Sequence, residues 1–342
     1  MTPAPENGSS AVDEAHAADE PRPEAQAVLD ALEAMGAPSI ADLTPEDARE
    51  RMDDLLAVDS SIEVASVEDR RIDGPGSEIP IRIYDPSGES NDSEADDGEA
   101  ESRPAICFFH GGGWVLGDLE SADPTCRKLA TETGYPVVSV EYRLAPEHPF
   151  PAGLEDCYAT LEWVAENAAE FGGDPDQIVL AGDSAGGNLA AGTCLLTRYR
   201  DGPDVAYQVL VYPVTGDATE TAAYEENAAE YGLTADESEW FRNHYFEREI
   251  DAANIFAAPR LANDRLLSEL PPATILTAGF DLLRDDGAAY ADRLEGAGVT
   301  VSYRNYPGMI HGFFGMLEQP ADLSVAHEAH ADVVADLRDA LE

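Results

Sequence analysis

From Pro104 to the C-terminus, short apolar runs alternate with longer amphipathic stretches, and no other feature of the chain constrains its fold as tightly. The runs AICFF, PVVSVEY, QIVLAG, YQVLVYP, ATILTAG and VTVSYRNYP have the length and β-branched or aromatic character of strands. Between them lie helical stretches containing CRKLATETG, LEDCYATLEWVAENAAEF, the alanine-rich segment from Ser184, and AAYADRLEGAG; SVAHEAHADVVADL is the closing helix. Strands that are apolar along their whole length bury both faces, so each lies between layers of helix. The pattern predicts an α/β fold with a mostly parallel central sheet flanked by helices. Two further strands are predicted upstream, SIEVASVEDRRI and IPIRIYDP, separated by the turn-forming DGPGS.

The 342 residues suffice for one large domain. Residues 1–24, rich in proline, alanine, serine and acids, are expected to form a disordered tail, leaving 25–342 as the folded domain. Helical periodicity begins at AQAVLDALEAMG and returns in TPEDARERMDDLL, where Thr44 with Asp47 resembles a short capping box. Residues 216–258 break the strand–helix rhythm. With residues 25–58 they are expected to form a helical cap over the carboxyl ends of the strands, where α/β folds place their sites. Residues 87–103 hold seven acids and one arginine and read as a solvated acidic loop insertion.

Charge narrows the function classes. Asp and Glu number 69 against 20 Lys and Arg, a formal net charge of −49, and the single lysine is Lys128. Such an excess repels itself unless ions screen it within a few ångströms, which points to a halophilic source with a salt-rich cytoplasm. Arginine suits that setting because its planar fork makes geometrically specific carboxylate pairs. The same charge speaks against nucleic-acid and anionic-membrane partners. Cys107, Cys126, Cys157 and Cys194 include no CxxC pair and read as buried free thiols. The N-terminal stretch has no basic start or apolar h-region, and no run approaches the roughly 20 apolar residues that span a bilayer. A cytoplasmic protein without membrane segments is expected; assembly as a homodimer is left open.

The chemistry is carried by four separated positions. VLAGDSAGGNLAAG, from Val179 to Gly192, places Ser184 on a strand-to-helix turn with Gly182 and Gly186 on either side. A nucleophilic serine needs such small neighbours because its turn is strained and crowded. It also needs a base, an orienting acid and donors for an oxyanion. FFHGGGW, at 108–114, offers the N–H groups of Gly111, Gly112 and Gly113; two of them with that of Ala185 could cradle the oxyanion. Asp281 follows ATILTAGF and His311 follows the last strand, in YPGMIHGFF. The order Ser184, Asp281, His311 is that of an α/β-hydrolase triad.

HGGGW, YRLAPEHPFPA (142–152), GDSAGGNLA, LPPATILTAGFDLLRDDG and YPGMIHGF together resemble the hormone-sensitive-lipase family of carboxylesterases over roughly residues 55–340. The resemblance implies the α/β-hydrolase fold, catalytic Ser184, Asp281 and His311, an oxyanion hole from the glycine loop plus Ala185, and a helical cap. It also implies hydrolysis of short to medium acyl esters through an acyl-Ser184 intermediate, without cofactor or metal. The chain departs from the pattern at Leu282, where proline is usual, and at Asp286, where glutamate is usual. An amidase, deacetylase or lipase would use the same triad. A non-catalytic ligand-binding protein of this fold is the other class, though plant receptors of the family lose the histidine that His311 keeps here.

Other residues are given plainer roles. His110 is expected to support the glycine loop, and His148 to be structural. His327 and His330, three apart on a helix, read as a solvated face rather than a metal site. Asp285 and Asp286 are rival triad acids, and Asp183 has at most a supporting role. Trp114, Tyr212, Trp240 and Phe241 are candidates for the substrate pocket.

Overall fold

Because side chains alternate across a strand, each central strand feeds two separate apolar layers. In Arg103–Phe109, Ala105, Cys107 and Phe109 enter one layer while Ile106 and Phe108 enter the other. The computed structural model describes residues 10–56, 60–87 and 103–342. Most of the acidic insertion and the first nine residues of the tail lie outside these.

The strands are β1 Ser66–Ile72, β2 Ile79–Asp85, β3 Arg103–Phe109, β4 Val137–Val140, β5 Gly173–Asp183, β6 Tyr207–Val211, β7 Ala273–Phe280 and β8 Val301–Ile310. They form one eight-stranded sheet in the order β1-β2-β4-β3-β5-β6-β7-β8. β1, β2 and β4 pair antiparallel; every pairing from β4–β3 through β7–β8 is parallel. A short ribbon, β9 Leu317–Glu318 with β10 Ala321–Asp322, stands apart.

The helices are α1 Ala11–Glu14, α2 Pro23–Met35, α3 Pro45–Leu56, α4 Leu119–Thr133, α5 Ala152–Asn167, α6 Ala185–Arg200, α7 Ala222–Glu226, α8 Ala235–Tyr245, α9 Asp264–Leu267, α10 Arg284–Gly296 and α11 Ser324–Leu341. Leu161 of α5, Leu189 of α6 and Tyr290 of α10 pack on one face of the sheet. Leu129 of α4 and Val333 of α11 pack on the other. The four cysteines are free and buried, as read from their apolar surroundings. Lys128, on α4, is buried with its ammonium 2.6 Å from Glu132 one turn on. Among the described residues, no helix is long and apolar enough to cross a membrane.

The expectation of a disordered tail through residue 24 is corrected from Ser10 onward. Ala11 N–H donates to Asp292 of α10, and the side-chain amide of Asn305 donates to His16 O. Ala18 N–H and Arg22 N–H donate to Pro307 O and Gly308 O on β8. A polar composition misses this attachment because backbone groups make most of it, and backbone groups are the same in every sequence.

Asp286 ties the first residues after β6 to α10. Its carboxylate, fully buried, accepts Thr215 N–H (2.6 Å), Gly216 N–H (3.1 Å) and Arg260 Nε (2.9 Å). Burial raises its pKa, and Arg260, Thr215 and Gly216 oppose that. Removing one partner of a buried pair strands the other charge. Arg260→Ala is therefore expected to lose about 3 kcal/mol of stability in urea unfolding. A loss below about 1 kcal/mol would rank the pair with exposed ones.

Candidate active site

The turn after β5 sets the geometry. Ser184 sits at φ +54°, ψ −116°, a conformation that L-residues rarely hold, and its N–H donates to Val211 O at the end of β6 (2.8 Å). Helix α6 starts at once, against the end of β3. A Cβ on Gly186 would lie 1.9 Å from Phe109 O, so only glycine lets the two backbones meet. In the loop after β3, Gly112 has φ +111° and a Cβ there would lie 2.3 Å from Leu116 O.

Asp281 directly follows β7 and His311 directly follows β8. Parallel neighbours end on the same side of the sheet, which brings both to Ser184. His311 Nδ1 lies 2.7 Å from Asp281 Oδ2, and His311 Nε2 lies 2.9 Å from Ser184 Oγ. An ionised carboxylate only accepts, so Nδ1 carries the hydrogen and Nε2 is free to accept from the serine hydroxyl. Asp281 is 1% exposed; its other oxygen accepts Leu283 N–H (2.9 Å), and Asn227 donates to its backbone carbonyl (3.2 Å).

The rival acids point elsewhere. Asp285 accepts Ala223 N–H and pairs with Arg284, while Asp286 is held by Thr215, Gly216 and Arg260. Asp183 takes the Gly111 N–H at 2.8 Å, which corrects the place given to Gly111 among the oxyanion donors. The N–H groups of Gly112, Gly113 and Ala185 have no partner among the described residues, and all three residues line the cavity beside Ser184. His110 is bonded to the loop: its Nδ1–H donates to Gly111 O (2.7 Å), its ring stacks on Tyr142, and Tyr142 O–H donates to His110 O (2.8 Å).

A cavity of about 440 Å³ opens above Ser184 and His311. Leu32, Ile40 and Met52 from the first expected cap segment and Leu233, Phe241 and Phe246 from the second line it. Trp114 and Phe241 are on its wall; Tyr212 and Trp240 are not, which corrects their assignment. Tyr212 is buried behind the imidazole, its ring centroid 4.6 Å from that of His311. Trp240 turns away from the cavity, and its indole N–H donates to Leu43 O, joining the two cap segments (3.2 Å). His148 is exposed. His330 is not on a solvated face; it is buried, stacked on Phe314 and bonded to Phe314 O (3.1 Å), while His327 contacts Asp322. Among the described residues, no three potential metal-ligating side chains come together.

The sequence matches the profile of the alpha/beta hydrolase fold over residues 106–315. The chain belongs to that family. It is 41% identical over 270 residues to a protein named carboxylesterase NlhH of Mycobacterium tuberculosis, covering 78% of this chain and 82% of the relative. It is 36% identical to an arylesterase of Saccharolobus solfataricus over 275 residues, 79% of this chain and 84% of that one. The crystal structure of a thermostable esterase from Pseudomonas putida superposes with a TM-score of 0.87 at 34% identity, covering 95% of this chain and 99% of the other.

Electrostatics separates the buried titratable groups of this alpha/beta hydrolase. Burial lowers the His311 pKa, but the charge and hydrogen bond of Asp281, helped by Asp183, carry it above the ordinary value. Burial pushes His110 down to about 4, against the pull of its Gly111 bond and of Asp118. Asp183 is raised to about 6 by burial, opposed by His311 and the Gly111 N–H. In a histidine NMR titration, His311 is expected to titrate above about pH 6.5, while His110 stays neutral down to about 4. Asp281→Asn removes the main opposing charge, so the His311 midpoint should fall; an unmoved midpoint would contradict this electrostatic account.

Proposed function

We propose that this alpha/beta hydrolase is a carboxylesterase acting on small neutral esters of short to medium acyl chain through Ser184. The observation that carries the reading is the 2.9 Å contact between Ser184 Oγ and His311 Nε2 beside three unpartnered backbone N–H groups. Ser184 Oγ attacks the ester carbonyl as His311 Nε2 takes its proton. The carbonyl π electrons move to oxygen, and the N–H groups of Gly112, Gly113 and Ala185 hold the resulting oxyanion. Asp281 keeps Nδ1 protonated and stabilises the imidazolium. As the tetrahedral intermediate collapses, His311 returns the proton to the departing alkoxide, leaving acyl-Ser184. Water then attacks with His311 again as base, releasing the acid and restoring the serine.

A cavity of about 440 Å³ with a largely apolar wall suits an ester of modest size. On a panel of p-nitrophenyl esters from acetate to laurate, kcat/KM is expected to peak at short or medium chains and to rise with pH as His311 loses its proton. Ser184→Ala is expected to lower turnover by about 10⁴-fold or more. Highest activity on long-chain emulsions would favour a lipase, and full activity in the alanine variant would remove Ser184 from the mechanism. A ligand-binding protein would turn over none of the panel.

The charge of −49 supports a second part of the reading, that the enzyme works in a salt-rich cytoplasm. Melting temperature and activity should both fall as KCl drops below about 1 M, where screening of the acidic surface weakens. A melting temperature indifferent to KCl would sink the salt adaptation and leave the esterase assignment standing.

A further inference from the structure

Arginines in this acidic chain are generally engaged. Arg49 pairs with Glu147, Arg82 with Asp69 and Glu120, Arg143 with Asp156, and Arg284 with Glu226 and Asp285. Arg242 of α8 is different and is placed where the difference matters. It is half-buried on the wall of the cavity that holds Ser184 and His311. Among the described residues its guanidinium has no hydrogen bond and no ion pair. Its guanidinium carbon lies 5.9 Å from the ring centroid of Phe246, also on the cavity wall.

The carboxylates on the same wall are already engaged, Asp217 through one of its two oxygens. Glu237 accepts Ser39 O–H (3.0 Å) and Ile40 N–H (3.3 Å) on one oxygen and Thr234 N–H (3.1 Å) on the other. Asp183 holds Gly111. Asp217 bonds to the N–H and hydroxyl of Thr219, at 3.0 and 2.6 Å. Burial would raise the Asp217 pKa, but those bonds and then the charges of Arg242 and Arg260 bring it below its ordinary value. Asp217 therefore feels Arg242 without bonding to it. What remains is a permanently charged, planar donor fork on the wall of a cavity whose apolar lining includes Trp114, Val214, Leu233, Phe241 and Phe246. A guanidinium drawn partly out of water beside apolar walls gains most from a carboxylate that brings its own two oxygens.

We propose that Arg242 is a specificity residue that selects ester substrates carrying a carboxylate remote from the scissile bond, such as half-esters of medium-length dicarboxylic acids. The proposal rests on the esterase reading of the site and names a substrate class within it. The anionic group can sit on the acyl or on the alcohol side, and matched pairs of esters separate the two.

The acyl pair is 4-nitrophenyl hydrogen adipate against 4-nitrophenyl hexanoate. The alcohol pair is 4-carboxyphenyl against 4-carbamoylphenyl butyrate. In each, the ratio of kcat/KM for the anionic member to that for the neutral member is compared in the wild type, Arg242→Gln and Arg242→Lys. The ratio is expected to fall about tenfold or more in Arg242→Gln for one pair, with part of it restored in Arg242→Lys. A loosened cap lowers both members together and leaves the ratio unchanged. Ratios within twofold of wild type in both pairs overturn the proposal. Calorimetric binding of the adipate half-ester to Ser184→Ala, with and without Arg242→Gln, reads the same contact without turnover. If the wild type cleaves none of the four esters, the esterase reading fails and the binding comparison decides the role of Arg242. If the neutral esters are cleaved while neither ratio nor affinity responds to Arg242→Gln, only the specificity proposal fails.

Discussion

The approach of α6 to the end of β3 is the constraint from which the site follows. With no side chain on Gly186, the first turn of the helix rests against Phe109 O and His110 O. That contact puts Ser184 beside the glycine loop instead of a side-chain thickness away. Asp183, the residue before the serine, fastens the loop through Gly111 N–H, so Ser184 and the glycine loop are tied together directly. His311 and Asp281 arrive from β8 and β7, and the parallel register delivers them to the same edge of the sheet. Four segments far apart in sequence thus meet through one close backbone approach and one parallel register.

The electrostatic differences within the site come from what each buried group meets, since burial alone drives every one of them toward neutrality. His110 meets a backbone carbonyl and an aromatic ring, and burial wins. His311 meets a carboxylate, and the charge wins. Asp183 lies between, shifted up but still bonded to an N–H and close to an imidazole. Only at His311 does a neighbour, Asp281 from the adjacent strand, outweigh burial.

Most of the fold was legible because β-branched apolar runs of strand length, alternating with amphipathic helices, fit a covered parallel sheet. Ser184, Asp281 and His311 were legible for a related reason, since each falls at the end of such a run. Gly111 was misplaced because HGGG presents three equivalent glycines, and only the position of Asp183 decides which N–H is taken. Tyr212 and Trp240 were misplaced because an aromatic residue looks the same in sequence whether it lines a cavity or backs it. Residues 10–24 escaped because strand β8 holds them mainly by their backbone. Arg242 carried no signal at all. Its interest lies in having no hydrogen-bond or ion-pair partner among the described residues, and such an absence is not written in a chain that offers 69 acids.

Lys128 is the sole lysine, and it is 8% exposed with its ammonium against Glu132. Reagents that attack amines, such as sugars, aldehydes and activated esters, therefore find no exposed lysine to modify. Glycation and glutaraldehyde cross-linking lose their usual targets on this surface. Its abundant carboxylates are the more plentiful handles for attachment to a solid support.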